Sequence, residues 1–148
     1  MAMKTVHIGV AKSTLSTLPK PSSYMSTAAK RHFKAMAKRL ISLDRLKETF
    51  LPLLEVYAEA MAQYEWAIKE IKFKNAEEYG SGYIQKYKTG ATNVSTEVSL
   101  KNNAETTILK CCKQFGLDPK SEKELNAEDN SGQMSLMAEF EKALTANK

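Results

Sequence analysis

Between residues 50 and 71 the apolar side chains keep a strict four-three rhythm: Phe50, Leu54, Tyr57, Met61, Tyr64, Ile68 and Ile71. Three heptads of that spacing lie on one stripe of a helix, and so long a stripe must be covered by something. Glu55, Glu59, Glu65, Lys69, Glu70 and Lys72 take the other faces. Thr49 is placed to cap this helix, and Pro52 then falls in its first turn, where a missing N–H does no harm. The stripe is either the core side of a helix hairpin or a contact between subunits. Phe50, Leu54, Tyr57, Met61, Tyr64 and Ile68 are its candidate oligomerisation residues.

The partner helix precedes it. Ser26 can cap a helix running to about Leu43, whose apolar positions Ala29, Phe33, Met36, Leu40 and Leu43 step by four and three. Lys30, Lys34 and Lys38 fall at i, i+4, i+8 on another side, with Arg31 and Arg39 beside them. The charges of the whole chain are segregated in the same way. Residues 1–43 hold eight Lys or Arg and no Asp or Glu, whereas the remainder holds 14 basic and 17 acidic residues. A basic front on a near-neutral body fits a polyanion, most often nucleic acid; without a partner it is a solvated basic terminus. Lys30, Arg31, Lys34, Lys38 and Arg39 are the candidate DNA contacts. Lys101 on a later helix joins them, with Lys110 and Lys113 next in line. Lysines one turn apart repeat about every 6 Å, close to the phosphate spacing of one strand, so backbone contact is easy. No paired Arg and Asn stands at a helix start to read bases, which predicts weak, mostly sequence-independent affinity per chain.

The rest of the chain changes character twice. Residues 75–93 carry turn signals at Tyr79-Gly-Ser-Gly-Tyr83 and at Thr89-Gly90. They predict a short β-hairpin or ordered loop, with Tyr83, Gln85 and Tyr87 on one face and Ile84, Lys86 and Lys88 on the other. Aromatics between lysines suit nucleic acid, but the pattern favours a small flap packed on its own helices. A third helix is expected from Ser95 or Thr96 to a glycine cap at Gly116, followed by a short helix from Asp118-Pro119 to about Leu125. After a polar linker, Asn126 to Gly132, a weak amphipathic helix carries Met134, Met137, Phe140 and Leu144 on one side. That isolated stripe is a candidate docking segment for a partner.

These readings give a mainly α chain: a helical hairpin, a third long helix, and a short β-hairpin or loop between helices two and three. Residues 1–22 read as a flexible basic arm, 23–125 as a helical DNA-binding and oligomerisation domain, and 126–148 as a linker with an amphipathic tail. Cys111 and Cys112 are adjacent, a geometry that strains a mutual bridge, and His7 and His32 are far from them. They read as thiols with at most one in the core, and neither metal nor cofactor is expected. No Walker-type loop, nucleophile elbow or histidine pairing is present, so an enzyme is not expected. No apolar run reaches the roughly 20 residues of a membrane span, and the chain is expected in the cytoplasm.

Four blocks, in order, resemble the small subunit of phage terminases over about residues 19–125. Pro21 followed by Ser26-Thr-Ala-Ala-Lys30 is similar to that family's Ser-x-x-Ala-Lys opening of a basic helix. Leu54 to Tyr57 and Ala60 to Tyr64 resemble its Leu-x-x-Tyr and Ala-x-x-x-Tyr pattern. Val98-Ser-Leu-Lys-Asn-Asn-Ala104 matches a Val-Ser-Ile-Arg-Asn-x-Ala block, and Phe115-Gly-Leu-Asp-Pro119 a Leu-Gly-Leu-Thr-Pro turn. Phe33 stands where the family usually has Trp, Lys101 where it has Arg, and Glu122 where an Arg usually follows. The resemblance implies a non-enzymatic component of a DNA-packaging motor in the bacterial host's cytoplasm. Such a protein forms a ring-shaped homo-oligomer, recognises double-stranded viral DNA and delivers it to the large ATPase and nuclease subunit. A small helical transcription regulator is the alternative, although the break between helices one and two lacks the glycine-containing tight turn of a helix-turn-helix. A structural phage adaptor that binds no DNA is the third reading.

Overall fold

The computed structural model describes residues 14–120, together with 123, 124, 138, 141 and 142. Its elements in chain order are α1 (Thr27–Ser42), a 3-10 turn (Glu48–Phe50), α2 (Leu51–Glu77), β1 (Ile84–Lys86), β2 (Thr92–Val94) and α3 (Thr96–Gln114). The chain is mainly α, with the expected small antiparallel sheet between helices two and three. It divides into two compact units, one ending at Ile108 and the other beginning at Leu109.

α1 forms where its sequence says it should. The Ser26 hydroxyl accepts a 3.1 Å hydrogen bond from the Ala29 N–H, and Ala29, Phe33, Met36, Ala37 and Leu40 are buried along one stripe. α1 packs on α2, whose Leu54, Tyr57 and Ala58 are buried. Ala29, Ala37 and Ala58 are fully covered, and Phe33, Leu40, Leu46 and Leu54 are the largest side chains buried throughout.

The end of α1 is closed by a residue other than glycine. Asp44 takes the left-handed conformation, φ 54°, while its N–H reaches the Ile41 carbonyl and the Arg45 N–H reaches the Leu40 carbonyl. Those two bonds are a Schellman cap. The Thr14 hydroxyl donates to the Asp44 carboxylate at 2.9 Å, and Thr14 also forms a lone β-bridge with Lys47. Residues 14–22 of the segment read as an arm are therefore attached: the Leu15 N–H bonds the Leu46 carbonyl, and the Ser22 hydroxyl bonds Glu55.

α2 starts differently from the reading above. Thr49 does not cap it; Thr49 sits inside the 3-10 turn, and Phe50 occupies the cap position without a side-chain bond. The chain reaches its helical path one turn early, leaving Pro52 in the first turn as expected. At the far end, β1 pairs with β2 in the register Ile84 to Val94, Gln85 to Asn93 and Lys86 to Thr92. α3 is capped by Ser95, whose hydroxyl accepts from the Val98 N–H at 3.2 Å. In the second unit α3 ends in another Schellman cap, with Gly116 at φ 74° and bonds from Gly116 N–H to Lys113 and from Leu117 N–H to Cys112. Cys111 is buried and Cys112 half-buried, both free thiols, and burial pushes the Cys111 thiol up.

Candidate nucleic-acid interface

The periodicity that buries one side of α1 turns its cations outward. Lys34, Lys38 and Arg31 are exposed on the side away from Phe33, Met36 and Leu40, while half-buried Lys30 and exposed Arg39 flank the buried stripe on its two edges. Among the described residues, Lys30, Lys34, Lys38 and Arg39 enter no ion pair. A row of unneutralised cations one helical turn apart keeps its full attraction for a polyanion.

Arg31 is the exception. Its guanidinium lies 2.6 Å from Glu65 on α2, and the same carboxylate meets the His32 ring at 2.8 Å and the Lys69 ammonium at 2.6 Å. The bonds from Lys69 and His32, with Arg31 nearby, lower the Glu65 pKa to about 2 against a smaller opposing effect of burial. Glu65 thus ties the basic edge of α1 to α2. Lys101 is engaged elsewhere, its ammonium 6.0 Å from the centre of the Tyr64 ring and 3.5 Å from the Glu105 carboxylate. Lys20 is exposed and lies before α1.

The opposite electrostatic character appears on another part of the first unit. A shallow groove of about 370 Å³ carries Glu55, Glu59 and Gln63 of α2. Ser22 and then Tyr24 hold the Glu55 carboxyl below its ordinary range by donating to it. The two carboxylates of that groove, Glu55 and Glu59, contrast with the cations of α1.

The α2 stripe divides. Leu54 and Tyr57 are buried, Phe50, Met61 and Tyr64 are half-buried, and Ile68 is 41% exposed. Ile68 stays open within the single chain although Ala67 and Ile71 on either side of it are buried, so at this level of α2 the covered side has turned away from Ile68. Trp66 and Phe73, which the stripe does not include, are 51% and 59% exposed at i, i+7 on a different face. Met134, Met137, Phe140 and Leu144 lie outside the described residues.

The hairpin departs furthest from the reading. Instead of packing on the helices, β1 and β2 are exposed at every position. Its base alone is built in: the Ser95 hydroxyl donates to the Gly82 carbonyl at 2.7 Å, and the Ser81 hydroxyl to the Lys74 carbonyl at 2.7 Å. Next to it, Lys74 pairs with Glu97 at 2.5 Å and, with the Glu97 backbone, holds that carboxyl below its ordinary range.

Among the described residues no group of three or more His, Cys, Asp or Glu is placed to hold a metal ion, and no helix is long and apolar enough to cross a membrane. No curated protein and no solved structure matches the chain. The family profile described as phage terminase, small subunit, matches residues 29–132, which takes in α1, α2, the hairpin and α3. With most of its length matched, the chain belongs to the phage terminase small subunit family, whose members are generally non-catalytic DNA-binding subunits.

Proposed function

We propose that this protein recognises viral double-stranded DNA as a ring-shaped homo-oligomer in the host cytoplasm and delivers it to the terminase large subunit. The observation that carries the reading is the set Lys30, Lys34, Lys38 and Arg39, which enters no ion pair among the described residues, with Lys34 and Lys38 turned away from the buried side of α1. Phosphates are the ligand that such a row fits. Each chain offers only a few contacts, and a ring multiplies them by its subunit number.

The assembly reading rests on α2. Tyr64 and Met61 are half-buried and Ile68 is open in the single chain, on the stripe proposed as the subunit contact. Apolar surface left open along one helical stripe supports a contact with another chain there. Met134, Met137, Phe140 and Leu144 are the proposed docking residues for the large subunit, and Lys101 is proposed as an auxiliary DNA contact.

Native mass spectrometry of the purified protein, followed by duplex-binding titrations, tests the reading. A mass of many chains, together with salt-sensitive binding to duplex DNA, is the expected result. A dimer would favour the regulator, and a large assembly that ignores DNA would favour the adaptor.

A further inference from the structure

The two longest stretches of this chain without an Asp or Glu are residues 1–43 and residues 79–96. The first contains α1. The second is the β1–β2 hairpin with its flanks, and it has Lys86 and Lys88 near its tip. Among the described residues, neither lysine enters an ion pair. Their charge is as available as that of the α1 row.

An isolated two-stranded ribbon is marginal in water, and this one is exposed on both faces. Tyr83, Ile84, Tyr87 and Val94 are 47% to 53% exposed. The chain nonetheless fixes it firmly at the root. Gly82 N–H donates to Asn75 Oδ1 at 2.9 Å, Ser95 holds the Gly82 carbonyl, and the Ser95 N–H bonds the Tyr83 carbonyl at 2.9 Å. At the tip, Gly90 at φ 85° lets Tyr87 pair with Ala91 across a three-residue turn. The ribbon is thus anchored at its base, while beyond it its apolar side chains stay about half exposed.

We propose that the β1–β2 hairpin is a second nucleic-acid contact, a ribbon that enters a groove of duplex DNA with Lys86 and Lys88 on the phosphates. The proposal rests on the DNA-binding reading given above. A two-stranded ribbon fits the major groove, about 12 Å wide, and once inside it meets a wall on each face. The pleat supplies donors to both: Lys86 shares a face with Ile84, Thr92 and Val94, while the Tyr83 and Tyr87 hydroxyls lie on the face of Gln85 and Asn93. A protein partner packed on one side would leave the other side bare. The absence of any carboxylate from residue 79 to residue 96 selects an anionic occupant.

The test compares full-length protein with Lys86→Ala/Lys88→Ala and Lys34→Ala/Lys38→Ala, by fluorescence anisotropy of a random-sequence DNA duplex across a salt series. All four lysines are exposed, so both variants should keep the far-ultraviolet circular dichroism of the parent. The hairpin variant should bind on the order of tenfold more weakly at low salt, with a log–log salt slope shallower by about 0.9 per lost lysine contact. Parent protein that binds no duplex at low salt would overturn the DNA reading itself. Parent and α1 variant differing as expected, while the hairpin variant keeps parental affinity and slope, would overturn the hairpin proposal alone. Unchanged DNA binding with an altered native mass would make the ribbon a contact between chains and likewise overturn it.

Discussion

Gly82 and Ile71 approach so closely that a Cβ placed on the glycine would lie 2.4 Å from the Ile71 carbonyl oxygen. The same imaginary atom would be 2.8 Å from Asn75 Oδ1, the group that accepts the Gly82 N–H. The root of the hairpin is thus pressed against the backbone of α2.

Gly82→Ala should therefore loosen the hairpin root. The clash is with backbone and cannot be relieved by turning a side chain, so overpacking of about 1–3 kcal/mol is expected. A thermal melt of the variant, with amide exchange at residues 83–95, measures it. An unchanged melting temperature and unchanged exchange would show that the root has room to relax.

Asp44 gives a second prediction. A residue with φ 54° is strained unless it is Gly, Asn or Asp, and the cost for a β-branched side chain is about 1–2 kcal/mol. Asp44→Val should lower stability by that amount and also remove the bond from Thr14. Asp44→Gly gains conformational ease and loses the same bond, and should be close to neutral. Chemical denaturation of the two variants separates the contributions, and equal losses would place the effect in the Thr14 bond alone.

The pH dependence follows from Glu65. Its pKa falls from an ordinary value of 4.5 to about 2 on folding, so between those values the unfolded chain binds the extra proton. Stability contributed by Glu65 is complete above the ordinary carboxylate range and is lost as pH falls toward 2. The melting-temperature gap between parent and Glu65→Gln should be present at neutral pH and close with acidification. A gap that persists at the acid end would show that the side chain acts by packing.

For the α1 row, Lys34→Ala/Lys38→Ala should weaken binding to cognate and random duplexes by the same factor. Both lysines are exposed and suited to phosphates, which carry no sequence information. Competition titrations with the two DNAs check the ratio. A selective loss for cognate DNA would mean that α1 reads bases.

Much of the fold could be read from local chemistry. Ser26 before a four-three stripe, and Gly116 after one, mark helix ends because the capping bonds depend only on nearby residues. The hairpin's existence was legible for the same reason: Gly90 supplies the positive φ its turn requires. What alternation along a strand could not tell is which face would be covered, and here neither is. Thr49 was misread because a 3-10 turn can replace a side-chain cap, and the residues alone do not choose between them. Ile68, expected to be covered in part by neighbouring subunits, is open in the single chain, and spacing along one helix does not say what covers each of its turns. On the candidate site, the cationic face of α1 was visible from spacing, whereas the partner of Arg31 is 34 residues away in sequence and only folding brings it near.

That distant pairing changes how many charges a polyanion would count. The slope of binding against salt reports the cations condensed on DNA that are released when protein charges neutralise its phosphates. A guanidinium already matched by a carboxylate neutralises little phosphate charge and so releases few of them. Arg31, held by Glu65, should be nearly silent in such a measurement, although it belongs to the basic face by position. Removing Glu65 would return Arg31 to the ionic atmosphere, so an acidic residue that touches no DNA would set the apparent valence of the surface beside it.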